Sequence, residues 1–315
     1  MKRRLPQISW YSAAQLLLLV WLLSLAGTYW QPVIGTKTLT ITRSHRPRVA
    51  PYQFPAGGRT LVPDYRLVAL YGSPGAPVLG VLGEQGPEAS VKRVKQLAKQ
   101  YQAHSNETVL PTFEIIATVA SAFPTEDNDY SRAIPNSVLS QWIEVAKTHG
   151  VYVVLDLQSG RTDFLKQAKE LAPLLAEPNV GLALDPEWRL TPTQIPLRQI
   201  GNVPITEVNA TADWLAKFTR ENKLPQKLFL LHQFRTDMLP NRDLLNTSHP
   251  ELATMIQMDG QGSQPQKQDT WRAILRQEPK NVKFGWKNFY DEDTTLLSPA
   301  ETMRITPSPW YVSYQ

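Results

Sequence analysis

The chain has 315 residues and carries 33 Lys and Arg side chains against 28 Asp and Glu. Residues 1–60 hold eight of the basic side chains and no acid, so residues 61–315 are slightly acidic, which argues against a nucleic-acid partner. Because the chain contains no cysteine, disulfides, thiolate nucleophiles and zinc–thiolate sites are excluded.

The N-terminus has the pattern of a membrane anchor. Lys2-Arg3-Arg4 precede an uncharged apolar stretch from Ile8 to Trp30, which reaches the roughly 20 residues needed to cross a bilayer. Aromatic side chains lie at both of its ends, as in interfacial belts: Trp10, Tyr11, Tyr29 and Trp30. Residues 1–30 are therefore predicted to be a signal anchor in the inner or plasma membrane, crossing it once, with the C-terminal domain periplasmic or extracellular.

Two other interpretations of this segment stay open. Ser24-Leu25-Ala26 could be the cleavage site of a signal peptide, or the segment could be a helix buried in a soluble protein. The basic residues after Trp30 weaken the orientation given by the positive-inside rule. Leu25-Ala26-Gly27-Thr28 looks like a lipoprotein motif with Thr at the Cys position, so only the helix itself would anchor the chain.

Residues 31–65 are predicted to form an extended, Pro-rich tether. Four prolines and a Gly57-Gly58 pair argue for uncovered backbone in this segment. The prolines are Pro47, Pro51, Pro55 and Pro63.

From Arg66 onward, apolar strands alternate with amphipathic helices. The eight predicted strands are rich in Val, Leu and Ile, which is typical of strands buried on both faces. They are Arg66–Gly72, Val109–Ile116, Val151–Gln158, Val180–Glu187, Lys227–Phe234, Ala253–Asp259, Val282–Phe289 and Trp310–Tyr314. The predicted helices are Pro87–Tyr101, Asn136–His149, Arg161–Glu177, Thr206–Asn222 and a short one that begins at a capping box at Ser298.

This alternation predicts an α/β fold, a (β/α)8 TIM-like barrel over residues 66–315. The main rival is a doubly wound open sheet, which normally has a Gly-rich phosphate turn after its first strand. Here the turn Tyr71–Pro77 contains prolines, which lack the N–H donors that hold a phosphate.

Polar side chains gather at the C-terminal ends of the predicted strands, where barrel enzymes place their chemistry. Asp185 and Glu187 share one strand face, roughly 7 Å apart at about 3.4 Å per residue. One of two neighbouring carboxyls should have a raised pKa, which is what a general acid needs. The structural alternatives are that Asp185-Pro186 starts a turn and that Glu187 pairs with Arg189.

Two more acids are candidates for the second catalytic carboxylate. Asp156 ends the third predicted strand, although it could instead cap the next helix with Ser159. Asp259 ends the sixth strand and either points into the mouth or begins a loop turn. The predicted catalytic set is Glu187, Asp185, Asp156 and Asp259.

Six further side chains are predicted to bind the substrate. They are Glu114, His232, Trp188, Trp286, Asn288 and Tyr290. The alternatives are a hydrogen-bonded structural role for His232 and barrel filling for the aromatics, which otherwise suit stacking on sugar rings. Lys287 lies on the strand face opposite Trp286; a Schiff-base lysine is a minor alternative for it.

No cofactor and no metal are predicted, because the five histidines show no ligand spacing. An oxygen-ligated Mg²⁺ or Ca²⁺ hydrolase, with the same acids as ligands, is kept as a third interpretation.

The strand Val180–Glu187 resembles that of chitinase-like glycoside hydrolases, whose motif is D-x-x-D-x-D-x-E. Asp185 and Glu187 match its last two acids, while Val180 and Ala183 stand where the first two belong. It also resembles barrels with an acid at strand four and a carboxylate nucleophile at strand seven, where this chain has Lys287 and Asn288.

A broader resemblance covers most of residues 66–315. The blocks are Gly181–Trp188, Leu231–Arg235, Gly285–Asp293 and Pro309–Gln315. They are similar to those of exported bacterial proteins, often lipoproteins, that carry a barrel domain with no assigned activity. The resemblance implies this fold and an envelope location.

The resulting hypothesis is a membrane-anchored, exported barrel that acts as a glycoside hydrolase on a cell-envelope or extracellular glycan. Glu187 would be the proton donor, and the partners would be the membrane and a carbohydrate ligand. The alternative is a non-catalytic glycan- or partner-binding envelope protein, which a salt bridge closing Glu187 against Arg189 would favour.

Overall fold

The computed structural model describes residues 52–276 and 279–315. The predicted anchor over residues 1–30 and the tether up to residue 51 lie outside these ranges. Of the helices in the described ranges, none combines the length and apolarity required to cross a bilayer.

Eight parallel strands form a closed barrel, which confirms the predicted fold. The strands in the described part of the chain are β1 Tyr65–Gly72, β2 Thr108–Ala120, β3 Ser131–Ala133, β4 Tyr152–Leu157, β5 Val180–Leu184, β6 Lys227–Gln233, β7 Leu252–Met258, β8 Lys283–Asn288 and β9 Tyr311–Tyr314. The parallel ring runs β1-β9-β8-β7-β6-β5-β4-β2, and β1 also pairs with β2, which excludes the open sheet. The short β3 was not predicted and pairs antiparallel with the far end of β2.

Helices follow most strands and cover the outside of the barrel. They are α1 Pro87–Gln102, α2 Asn136–Thr148, α3 Phe164–Glu170, α4 Ala172–Leu175, α5 Ile205–Glu221, α6 Gln264–Leu275 and α7 Pro299–Met303. The single helix predicted over Arg161–Glu177 is split at Leu171, since Pro173 lacks an N–H for the helical ladder. The predicted capping box at Ser298 is present and begins α7.

The alternation of side chains along the strands creates two apolar cores. Leu67, Leu110, Val154 and Leu230 point inward and fill the barrel. Side chains on the opposite faces of the same strands pack against the helices in a larger outer core. Toward the C-terminal ends, the inward positions change from apolar to charged, and these positions build the site described below.

Residues 52–64 close the opposite end of the barrel, so the extended tether predicted for this part of the chain is wrong. Phe54 and Leu61 are buried, and both belong to the barrel's inner core. The Phe54 ring contacts the rings of Tyr65 and Tyr152, which begin β1 and β4. The plug arises because the apolar barrel interior would otherwise face solvent at this end.

Replacing Phe54 with Ala tests whether this segment is part of the folded domain. We expect Phe54→Ala to lower the free energy of unfolding by about 3–5 kcal/mol, because it removes a buried ring and leaves a cavity. The matched control is Phe123→Ala, whose ring is 73% exposed and should change stability by less than about 0.5 kcal/mol. Urea denaturation measures both; equal effects would show that residues 52–64 do not support the barrel.

Candidate active site

A cavity of about 430 Å³ opens at the C-terminal ends of the barrel strands. Asp185, Glu187, Asp259 and Lys287 contribute its charged lining, and Trp188 contributes an aromatic wall. Asp156 lies behind this lining and is fully buried. The four acids predicted as catalytic are therefore gathered at one end of the barrel.

Asp185 and Glu187 reach the cavity by a different route from the one predicted. β5 ends at Leu184, and Pro186–Trp188 forms a single 3-10 turn rather than more strand. The Asp185 carboxylate accepts a hydrogen bond of 3.2 Å from the Glu187 N–H and caps this turn. The proline explains the change, because it cannot donate to a strand ladder and its fixed φ suits a first helical position.

Glu187 is not covered by Arg189. The Arg189 guanidinium instead forms a bidentate pair with Glu207, at 2.9 and 3.0 Å. Within residues 52–276 and 279–315, the Glu187 carboxyl has no hydrogen bond or ion pair. Burial, reinforced by the negative charge of Asp259, raises the pKa of Glu187 to about 7.

His232 lies between two carboxylates inside the barrel mouth. Its Nδ1 is 2.8 Å from an oxygen of Asp259, and its Nε2 is 2.6 Å from an oxygen of Glu114. The Tyr311 hydroxyl donates to the other Glu114 oxygen at 2.8 Å. Burial lowers the pKa of His232, but Glu114, Asp156 and Asp259 outweigh it and raise that pKa well above its ordinary value.

These contacts change the picture of two predicted binding residues. Glu114 and His232 are both fully buried, and each is satisfied by the other rather than open to a ligand. Glu114 also does not end its strand, since β2 continues to Ala120. The hydrogen-bonded structural role left open for His232 fits this geometry.

Lys287 is the main feature of the site that sequence reasoning missed. Its Nζ lies 3.0 Å from an oxygen of Asp259 and 3.6 Å from the centre of the Tyr71 ring. Although burial raises the pKa of Asp259, Lys287 and His232 together lower it to about 2. Asp259 is thus an ionised carboxylate held by one cation on each oxygen. Alternation along the strand sets Lys287 opposite Trp286, but it does not tell which of the two faces the barrel interior.

The placement predicted for Trp286 and Asn288 is wrong. Both are buried on the outer face of β8, where Trp286 packs against Trp271 of α6 and its Nε1 donates to the Asn288 side chain. Alternation along β8 explains this, because Lys287 takes the inward face. Tyr290 is also outside the cavity and lies near Arg93 in a neighbouring pocket. Trp188 does line the cavity.

Asp156 is the most enclosed acid of the group. One of its oxygens accepts a hydrogen bond of 3.0 Å from the Tyr71 hydroxyl, while the other has no partner in the described part of the chain. Burial, with repulsion from Glu114, raises the pKa of Asp156 to about 6. Burial likewise raises the pKa of Asp185 well above its ordinary value, and the neighbouring Asp156 and Glu187 add to the effect.

One trio in the described residues has a spacing that a metal ion could use. Ligand atoms of Asp156, Asp185 and His232 lie within 4.8 Å of one another. Both nitrogens of His232, however, lie within hydrogen-bond distance of carboxylates, so neither offers a free lone pair to a metal. Asp156 and Asp185 are therefore two neighbouring acids beside an imidazole whose nitrogens both contact other carboxylates.

Comparisons with known proteins give no family assignment. No family model matches the chain, and no curated protein does so. Among solved structures, the chain is similar to the xylanase and α-amylase inhibitor protein XAIP-II from Scadoxus multiflorus, with 14% identity over 79% of this chain and 92% of that one and a TM-score of 0.44.

Two further structures show likenesses of the same kind. The xylanase–α-amylase inhibitor protein XAIP-I in complex with trehalose has 16% identity and a TM-score of 0.44, over 79% of this chain and 92% of that one. A GH113 β-1,4-mannanase has 13% identity and a TM-score of 0.36, over 71% and 83%. Because these TM-scores lie below 0.5, the neighbours do not identify the function of this chain.

The raised pKa of Glu187 predicts a pH-dependent gain in stability when its charge is removed. Below pH 4.5 the carboxyl is protonated in both folded and unfolded states, whereas above about pH 7 the folded state must bury an ion. We expect Glu187→Gln to be more stable than wild type by about 1–3 kcal/mol at pH 8 and equal to it near pH 4.

Chemical denaturation at the two pH values measures this difference. Glu126→Gln, at an exposed loop position, is the control and should show no such gain. A Glu187→Gln variant that is no more stable than wild type at pH 8 would contradict the buried, acid-favouring environment.

Proposed function

We propose that the barrel is a glycoside hydrolase acting on a cell-envelope or extracellular glycan by carboxylate acid/base chemistry. One observation carries the proposal: two carboxyls lining one cavity have their pKa values pushed apart, Glu187 to about 7 and Asp259 to about 2. A protonated acid beside an ionised carboxylate is the pair that glycosidic cleavage requires.

The two acids take different roles in this proposal. Glu187 donates its proton to the glycosidic oxygen as the bond to the anomeric carbon breaks, since its carboxyl is accessible and unpaired. Asp259 supplies the negative charge that stabilises the oxocarbenium-like carbon until a water molecule adds to that carbon and gives its proton back to the Glu187 carboxylate. Asp185 caps and holds the turn that carries Glu187. Asp156 is buried behind the cavity lining and adds a further carboxyl to this cluster of acids.

The remaining lining suits a sugar. Trp188, Phe234 and Phe289 give apolar surfaces, and the side chain of Gln315 gives an amide group that can bind hydroxyls. The cavity therefore offers both ring-stacking surface and hydrogen-bonding groups around the acid pair.

A non-catalytic glycan-binding role is the second candidate, and one observation favours it. Both oxygens of Asp259 are engaged, one by Lys287 and one by His232, which weakens this carboxylate as a nucleophile. Binding without turnover would leave the same cavity and the same aromatic wall in use.

Activity measurements separate these two candidates. On a panel of peptidoglycan and polysaccharides, we expect Glu187→Gln to lower kcat by about 10²- to 10⁴-fold, because the proton donor is lost. The wild-type kcat/KM should fall as pH rises through about 7, where Glu187 ionises. Glu126→Gln serves as the control with unchanged rate. Hydrolysis that is insensitive to Glu187→Gln would remove the catalytic assignment, and no hydrolysis on any substrate would favour binding.

We also propose the location that the N-terminal sequence predicts, with residues 1–30 anchoring the barrel outside the cytoplasm. The full chain should fractionate with membranes, and protease added to spheroplasts should digest the barrel. A chain that starts at residue 52 should be released from the membrane. Recovery of the full chain in the soluble cytoplasmic fraction would overturn this location.

A further inference from the structure

The cavity and the layer behind it hold more acids than cations. Five carboxyl groups meet at this end of the barrel: Glu114, Asp156, Asp185, Glu187 and Asp259. In the described ranges, the cations that pair with them are His232 and Lys287. Two positive charges therefore face five ionisable acids.

Each of these cations already pairs with Glu114 or Asp259. His232 lies between Glu114 and Asp259, and Lys287 contacts Asp259. Among residues 52–276 and 279–315, no cationic side chain forms an ion pair with Asp156, Asp185 or Glu187. When these three acids ionise, the cavity becomes strongly negative.

Asp156 provides a second, independent sign of a missing partner. It is fully buried, and one of its carboxylate oxygens has no hydrogen-bond partner in the described part of the chain. An oxygen of Asp156 and an oxygen of Asp185 lie no more than 4.8 Å apart, and Asp185 lines the cavity. A buried acceptor without a donor is costly, so this gap between two acids suits a donor that arrives with a ligand.

We propose that the substrate is an amino sugar, whose ammonium group binds between Asp156 and Asp185. This inference rests on the proposed function and names the substrate class for it. An ammonium carries three N–H donors, so one nitrogen between the two acids can donate to an oxygen of each. Its third N–H remains for a further acceptor in the cavity.

Other ligands fit this gap less well. A sugar hydroxyl has one hydrogen, so it can donate to only one of the two acids when both are ionised. A divalent cation such as Ca²⁺ takes six to eight oxygens, whereas Asp156 and Asp185 supply two carboxylates and His232 is engaged. The imidazolium lies near the site, but Glu114 and Asp259 balance its charge.

The test compares sugars that differ at one position only. Glucosamine against glucose, and galactosamine against galactose, are titrated into the full chain at pH 6 by calorimetry. We expect the amino sugar of at least one pair to bind about tenfold more tightly than its neutral partner. Asp156→Asn should abolish this preference, while Asp269→Asn, an exposed change on α6, should keep it.

A second measurement does not depend on the variants. The titration is repeated in buffers of different ionisation enthalpy, which reports the protons exchanged on binding. Because an ammonium favours ionised carboxyls, the amino sugar should release protons from the protein at pH 6, and the neutral sugar should release none. Proton release by the wild type keeps the inference testable even if Asp156→Asn fails to fold.

Several results would overturn the inference. They are equal or absent binding in both pairs, tighter binding of the N-acetylated sugars than of the free amines, or binding of Ca²⁺ or Mg²⁺ alone that Asp156→Asn removes. The outcome is separable from the proposed function. Glu187-dependent hydrolysis of a neutral glycan without amine preference would reject the amino sugar alone, whereas amine-selective binding without turnover would reject the hydrolase alone.

Discussion

The ion pairs of Asp259 are the interaction on which the rest of the site depends. One of its oxygens pairs with Lys287 and the other with His232. His232 also contacts Glu114, which accepts a hydrogen bond from the Tyr311 hydroxyl. Buried charges are expensive unless each has a partner of the opposite sign. This chain of contacts lets Asp259 stay ionised inside the barrel mouth. Within the described residues, it leaves Asp156, Asp185 and Glu187 without a cation in an ion pair. The unpaired acids then keep their protons more readily than they would in water.

The apolar layer beneath this network determines how strongly the charges of the site shift the pKa values of the acids. The inward face of β6 carries Leu228 and Leu230 before His232, and that of β4 carries Tyr152 and Val154 before Asp156. Charges above such a layer are screened by water from the open side of the cavity only, so their mutual interactions are strong. The barrel interior thus acts both as the core that holds the fold and as the medium that shifts the pKa values of the acids.

The fold could be predicted from the sequence because it depends on repeated, local patterns. Eight apolar runs separated by helices of suitable length leave few arrangements other than a closed barrel, and the strand-end position of Asp185 followed from the same pattern. The features that were predicted wrongly depend on a single residue or on contacts between residues far apart in the sequence. Pro186 ended β5 at Leu184, two residues before the proline, and Phe54 turned a predicted tether into a plug through its contact with Tyr152.

The site illustrates why it is harder to predict which face of a strand points into the barrel than where the strand lies in the sequence. On β8, Trp286 and Lys287 are neighbours, and hydrophobicity alone does not say which of them faces inward when both faces of a strand are buried. The large aromatic packs against Trp271 of α6, while the lysine is tolerated inside because it pairs with Asp259, which follows the adjacent β7. That partner lies 28 residues earlier in the sequence, so its pairing is visible only in three dimensions. The charge pattern of the mouth, rather than the strand-end motif, is what defines the chemistry that this barrel can perform.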